Sequence, residues 1–231
     1  MAIFALIPAA GSGSRMAGER PKQYLPLAGR TMLWHALHAL CVDPVETVFV
    51  VLSPDDKRFA AEDWSALAHR IEPLYCGGAS RRDSVFNGLV AAMAAVDADD
   101  WMLVHDAARP CLPRADLQRL IAECQDDLIG GILALPVAET VKRAAKDEGG
   151  AQRVAGTEDR SQLWLAQTPQ MFRAGLLAQA LRAARGAVTD EASAIEQMGL
   201  KPRLVTGSRE NLKVTWREDL AIAEAILRGR A

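Results

Sequence analysis

The chain has 231 residues, half of them hydrophobic, with a net charge of −2. That length supports one large domain whose core needs no disulfide or metal staple, and the balanced charge, with no block of Lys and Arg, argues against nucleic acid or an acidic membrane surface as a partner. The scattered cysteines Cys41, Cys76, Cys111 and Cys124 form no C-x-x-C pair and read as core thiols of a reducing compartment. With neither a signal peptide nor an apolar run of about 18 residues, the sequence reads as a cytoplasmic protein with no membrane partner.

Residues 3–7 are an apolar run of strand length, ended by Pro8. Six small residues follow (Ala9, Ala10, Gly11, Ser12, Gly13, Ser14), then the cations Arg15, Arg20 and Lys22. Small residues let the backbone approach a ligand, and successive N–H groups form an anion nest, so this stretch suits a polyphosphate. Helical spacing predicts a helix over 31–41, and the β-branched run 45–52 a buried parallel strand. An amphipathic helix is expected over 55–67, a strand over 71–75, a helix over 81–96 and a strand over 101–104. A helix over 114–124 and a strand over 129–135 come next. Around Gly149-Gly150, residues 137–160 read as a hairpin arm. An isolated hairpin is marginal in water, so the arm is expected to pack on a second subunit. Helices over 174–185 and 190–198, a strand over 203–206 and a helix over 218–227 complete the chain. Alternation of strand and helix implies an open, mostly parallel sheet covered on both faces. Ligands of such sheets sit beyond the carboxyl ends of the strands, where the loops after Ile7, Tyr75 and Val104 converge.

Two familiar phosphate loops are excluded. The dinucleotide fingerprint starting at Gly11 and Gly13 has Met16 at its third glycine, and the P-loop pattern starting at Gly13 and Gly18 fails at Glu19 and Arg20. Asp106 closes the strand WMLVHD on the expected ligand rim, where a carboxylate either holds Mg²⁺ or serves locally as a cap or as a partner of Arg109. His35, His38, His69 and His105 form no zinc motif, and no nucleophile elbow is present. The remaining chemistry is transfer driven by positioning and charge neutralisation, as in phosphoryl and nucleotidyl transfer. Arg109, Thr140, Arg160 and Lys213 are further candidates for an anionic substrate.

Seven segments in order, PAAGSGSRM (8–16), PKQYL (21–25), GGASRRDSVFNGL (77–89), HDAARP (105–110), DRSQLWLAQTPQMF (159–172), TDEASAIE (189–196) and NLKVT (211–215), resemble the 2-C-methyl-D-erythritol 4-phosphate cytidylyltransferases of non-mevalonate isoprenoid biosynthesis. The resemblance spans nearly the whole chain. It implies a single domain over 1–231 with a three-layer α/β/α Rossmann-like nucleotidyltransferase fold, and a homodimer whose 137–160 arms protrude. It implies that CTP reacts with methylerythritol phosphate to give the cytidine diphospho-alcohol and pyrophosphate. Ala9, Ala10, Gly11, Ser12, Gly13 and Ser14 would wrap the triphosphate, and Arg15 and Lys22 would neutralise charge growing in the transition state. Gly78 and Ser84 would lie against cytosine, with Ala107 also on the nucleotide. Asp106 would hold Mg²⁺ or another divalent cation. Arg109, Thr140, Thr168 and Lys213 would bind the acceptor phosphate, and Arg160, reaching from the partner's arm with Thr140, would orient it. Glu139 and Glu210 stand where the family often has Asp, and Trp216-Arg217 replaces a Pro-containing pair, which leaves a second metal ligand at Glu210 open. The alternatives are a cytidylyltransferase for another polyol phosphate, such as ribitol 5-phosphate, and a non-catalytic nucleotide-binding module.

Overall fold

The computed structural model describes residues 1–11 and 20–230. Its centre is β1 (Ile3–Pro8), whose side chains alternate between two cores: Ile3, Ala5 and Ile7 face one, Phe4 and Leu6 the other. A strand apolar on both faces can only be stable between two helical layers. The chain supplies them through β2 (Pro26–Leu27), β3 (Arg30–Thr31), α1 (Met32–Leu40), β4 (Val45–Val51), β5 (Ile71–Leu74), α2 (Arg81–Ala92), β6 (Trp101–Val104) and α3 (Arg114–Cys124). It continues with β7 (Gly130–Pro136), β8 (Val141–Lys146), β9 (Gln152–Glu158), β10 (Trp164–Arg173), α4 (Ala174–Ala183), α5 (Glu191–Glu196), β11 (Arg203–Thr206) and α6 (Asp219–Arg228).

Seven strands form one sheet in the order β11-β7-β10-β6-β1-β4-β5, all parallel except β10, which runs antiparallel to both neighbours. Leu33, Leu37 and Leu40 of α1 and Leu117 and Leu120 of α3 fill the core on one face. Val85 and Leu89 of α2, Leu177 and Leu181 of α4, and Ile195 of α5 fill the other. Each of these fully buried Leu, Ile and Val side chains contributes about 2 kcal/mol by leaving water. The result is the expected three-layer α/β/α architecture. All four cysteines are free; burial pushes Cys111 up to about 11 and Cys124 up to about 12, so neither is a thiolate near neutrality. Among the described residues no helix is long and apolar enough to cross a membrane.

α1 shows how sequence becomes local structure. Thr31 caps it, its hydroxyl accepting from the Trp34 N–H at 3.2 Å, and Leu33, Ala36, Leu37 and Leu40 make the buried stripe. His35 donates Nε2–H to the Leu27 carbonyl at 2.8 Å, and burial lowers its pKa from the ordinary 6.5. A histidine held neutral in the fold gives stability that is complete above the unfolded pKa and is lost as pH falls below about 6.5. The urea midpoint is therefore expected to fall between pH 7 and 5, with a shallower fall in His35→Gln; equal slopes for the two proteins would contradict this.

The expected helix over 55–67 is not formed. Asp56 instead accepts from the N–H groups of Arg58 (2.8 Å) and Phe59 (2.9 Å) and from the Tyr24 hydroxyl (2.8 Å). Trp64 stacks on Phe59 and donates to its carbonyl at 2.6 Å. These side-chain bonds outcompete the helical ladder, leaving one 3₁₀ turn at Phe59–Ala61. The other departure is β10, a strand the sequence reading left out. Its Pro169 lies where the pairing with β7 shifts register, between Ala166 and Gln170, so no ladder bond is demanded of it.

Among the described residues β8 and β9 pair only with each other, forming the expected hairpin, with Gly150 at φ +81° in its turn. Arg143–Glu158 (2.6 Å) and Arg153–Asp147 (2.8 Å) decorate an arm whose residues are nearly all exposed, including Val154.

Candidate active site

The loops after β1 and β6 open together because β1 and β6 are parallel neighbours. Between them lies a cleft of about 160 Å³ walled by Ala9, Gly11, Lys22, Asp106, Ala107 and Lys213. A second cleft of about 440 Å³ is walled by Ala10, Gly78 and Ser84 and shares Gly11 and Arg81 with the first. The structure thus brings together Ala9, Ala10, Gly11, Lys22, Gly78, Ser84, Asp106, Ala107 and Lys213. Ser12, Gly13, Ser14 and Arg15 lie outside the described residues.

Local bonds fix these walls. Gln23 donates to the Ala9 carbonyl at 2.6 Å, and Lys22 donates to the Val214 carbonyl, linking the first loop to the segment that carries Lys213. At the head of α2 the Ser80 hydroxyl accepts from the Asp83 N–H at 3.1 Å. Ser84 then accepts from the Gly78 N–H (3.1 Å) and donates to the Ser80 carbonyl (2.9 Å), which stiffens the wall of the second cleft.

Asp106 is buried among cations. Its Oδ1 accepts from Arg81 Nε at 3.0 Å and lies 2.9 Å from Arg81 Nη2, its Oδ2 lies 2.7 Å from Lys213 Nζ, and Arg109 Nε is 3.9 Å away. Burial opposes ionisation, but Arg81 and Lys213 together outweigh it and hold the carboxyl well below the usual carboxylate range. Among the described residues Asp106 is the acidic residue walling this cleft, and no group of three His, Cys, Asp or Glu side chains suited to a metal exists. One carboxylate beside cations fits Mg²⁺ that arrives with phosphate oxygens, since Mg²⁺ binds through one or two carboxylates plus substrate phosphates and water. Glu210 is turned elsewhere: its carboxylate pairs with Arg230 at 2.6 Å, and it is not among the residues walling the cleft.

Behind Asp106 runs a buried polar chain. The Asp106 N–H donates to Thr168 Oγ1 at 3.0 Å, so the Thr168 hydroxyl proton is turned to His105 Nδ1, 3.0 Å away. His105 Nε2–H in turn donates to the Arg109 carbonyl at 3.0 Å, and burial pushes this histidine down to about 4, which keeps it neutral. Arg109 donates to the carbonyls of Asn211 (2.6 Å) and Ala166 (3.3 Å). Thr168 and Arg109 are both buried here, at 4% and 8% exposure, and both support the Asp106 loop from behind. Thr140 and Arg160 lie on the exposed arm and the bend after it, with Arg160 donating to the Ala138 carbonyl; neither walls the two clefts of its own chain.

The sequence reading passed over Arg81 and Glu191. Arg81 touches Asp106 and both clefts, and its guanidinium also grips Glu191, a side chain 1% exposed. The available signal was a charged residue at the first position of a helix in each of two quoted segments, GGASRRDS and TDEASAIE; sequence alone does not say that the two helix starts meet.

Comparison with known proteins places this geometry. The sequence matches the 2-C-methyl-D-erythritol 4-phosphate cytidylyltransferase family over residues 3–229. It is 58% identical over 229 residues to the protein of that name from Dechloromonas aromatica, covering 98% of each chain. The same-named protein of Laribacter hongkongensis is 59% identical over 225 residues, covering 96% of this chain and 95% of the relative. Among solved structures, a 4-diphosphocytidyl-2C-methyl-D-erythritol synthase superposes with a TM-score of 0.84 at 40% identity over 98% of each chain. The Francisella tularensis 2-C-methyl-D-erythritol 4-phosphate cytidylyltransferase does so at 0.79 and 33% identity, covering 98% of this chain and 100% of that one. With fold and sequence in agreement over nearly its whole length, the chain belongs to the 2-C-methyl-D-erythritol 4-phosphate cytidylyltransferase family.

Proposed function

We propose that this protein transfers the cytidylyl group of CTP to 2-C-methyl-D-erythritol 4-phosphate. An acceptor phosphate oxygen attacks the α-phosphorus in line; a new P–O–P linkage forms and the bond to the leaving pyrophosphate breaks. The observation that carries this reading is the convergence of Lys22, Lys213 and the Asp106 carboxylate on one cleft that shares a wall with a second at Gly78 and Ser84. Ala9, Ala10, Gly11, Ser12, Gly13 and Ser14 bind the triphosphate, Arg15 neutralises charge that grows in the transition state, and Ala107 contacts the nucleotide. Lys22 and Lys213 offset the charge that grows on the α-phosphate and pyrophosphate. Cytosine enters the second cleft, against Gly78 and Ser84. Asp106 holds a divalent cation, which when bound shields the negative charge of the phosphates. Arg109 and Thr168 position the acceptor side of the cleft by fixing the Asp106 loop. Thr140 and Arg160 meet the acceptor from the arm of a second copy, so the working form is a homodimer, in the cytoplasm.

Pyrophosphate release tests the reading, with CTP, Mg²⁺ and a panel of polyol phosphates, and with ATP, GTP and UTP in place of CTP. Release confined to CTP with methylerythritol phosphate is the expected result. Release with ribitol 5-phosphate instead would move the acceptor assignment, and CTP binding with no release from any pair would leave a nucleotide-binding module.

A further inference from the structure

Arg81 stands on the wall shared by the two clefts, where a cation would ordinarily be read as a ligand for the triphosphate. All three of its guanidinium nitrogens are already engaged. Nη1 and Nη2 make a bidentate pair with Glu191 at 2.7 and 3.0 Å, while Nε and Nη2 close on Oδ1 of Asp106 at 3.0 and 2.9 Å. Glu191 is buried to 1% exposure, so its charge has this guanidinium in place of water. Its position is fixed in turn. It is the first residue of α5, whose start is held by the Asp190–Ser193 capping box and by Gln170 of β10, which donates to Asp190 (2.8 Å) and accepts from the Ala192 N–H (2.8 Å).

We propose that Arg81, locked by Glu191, is a positioning residue that orients the Asp106 carboxylate and is withheld from the substrate phosphates. Resting on the reading of Asp106 given above, it divides the two carboxylate oxygens between different tasks. Oδ1 is pinned to the rigid guanidinium fork, which fixes the plane of the carboxylate, and Oδ2 is left toward Lys213 and the cleft. A planar fork can hold two carboxylates in fixed orientation at once; a lysine ammonium, a compact charge with rotatable donors, fixes the orientation of neither. Glu191 has a second effect. By occupying both Nη atoms it denies the triphosphate a bidentate partner that would bind ground state and transition state alike and so leave turnover unimproved.

The test compares Arg81→Lys, Glu191→Gln, the double variant and Asp106→Asn in the whole protein. It reads kcat, KM for both substrates, CTP affinity by calorimetry without acceptor, and thermal melting. Arg81→Lys and Glu191→Gln are each expected to lower kcat about tenfold or more while KM for CTP and the calorimetric affinity stay within about threefold. The double variant should be no worse than the poorer single, because the two changes undo one clamp. A merely structural pair would give losses that follow the melting temperature. Wild-type kcat in Arg81→Lys, a loss confined to KM or CTP affinity, or multiplying losses would overturn the proposal. If Glu191→Gln melts below the assay temperature, Arg81→Lys alone decides by the same criteria. Asp106→Asn separates the two layers of the argument. Retained turnover there would overturn the role of Asp106 itself, whereas its loss beside unaffected Arg81→Lys would overturn only the clamp.

Discussion

Lys213→Ala is expected to lower kcat by roughly a hundredfold to a thousandfold, about 3–4 kcal/mol of transition-state stabilisation, the scale for losing one preorganised donor. Lys213 Nζ lies 2.7 Å from Asp106 Oδ2, so the ammonium is already oriented when substrate arrives and little rearrangement is left to slow the reaction. The fold should tolerate the change. The Lys213 side chain is 43% exposed, and Asp106 keeps the more deeply placed Arg81 as its anchor on Oδ1, so the melting temperature should move by only a degree or two. Steady-state kinetics with CTP and methylerythritol phosphate, set beside a thermal melt, checks both halves. A variant with near-normal turnover would remove Lys213 from the chemistry, and one that fails to fold would make it a structural residue.

Gly130→Ala should instead destabilise the protein by about 3 kcal/mol or more, lowering the melting temperature by roughly 10 °C. Gly130 opens β7 at φ +106°, a conformation that side chains rarely adopt, and an added Cβ would meet the Met171 carbonyl oxygen at 2.1 Å. Backbone on the facing strand cannot turn aside as a long side chain could, so β7 and β10 would have to part where Gly130 pairs with Phe172. Gly149→Ala in the arm is the control: its nearest neighbour is Asp147 Oδ1 at 3.5 Å, and the melting temperature should barely change. Equal melting of the two variants would show that the start of β7 yields more easily than its geometry implies.

Loss of the helix expected over 55–67 and the unexpected strand β10 have a common cause. In each case side-chain periodicity was overruled by specific partners, some of them far along the chain. Asp56 is drawn into a turn partly by the hydroxyl of Tyr24, 32 residues earlier, and Pro169 is tolerated inside a strand because Ala166 and Gln170 pair with β7 on either side of it. Periodicity carries no information about such partners. The same limit hid Arg81 and Glu191, which lie 110 residues apart and become a pair only when α2 and α5 start at one rim.

By itself the sequence determined the alternation of elements, the two-faced apolar strands, the small-residue loop after β1, the hairpin and the placing of Asp106 on the ligand rim. These follow from short-range chemistry: side-chain period, chain-terminating prolines and glycines, and the rule that parallel strands end on one side of a sheet. The tertiary structure alone decided that β10 runs antiparallel between β6 and β7, that Thr168 and Arg109 brace Asp106 from behind, and that each oxygen of Asp106 faces a different cation. Those outcomes depend on which buried polar groups find one another once water is excluded, and an unmet donor or acceptor in the core costs more than any local preference supplies.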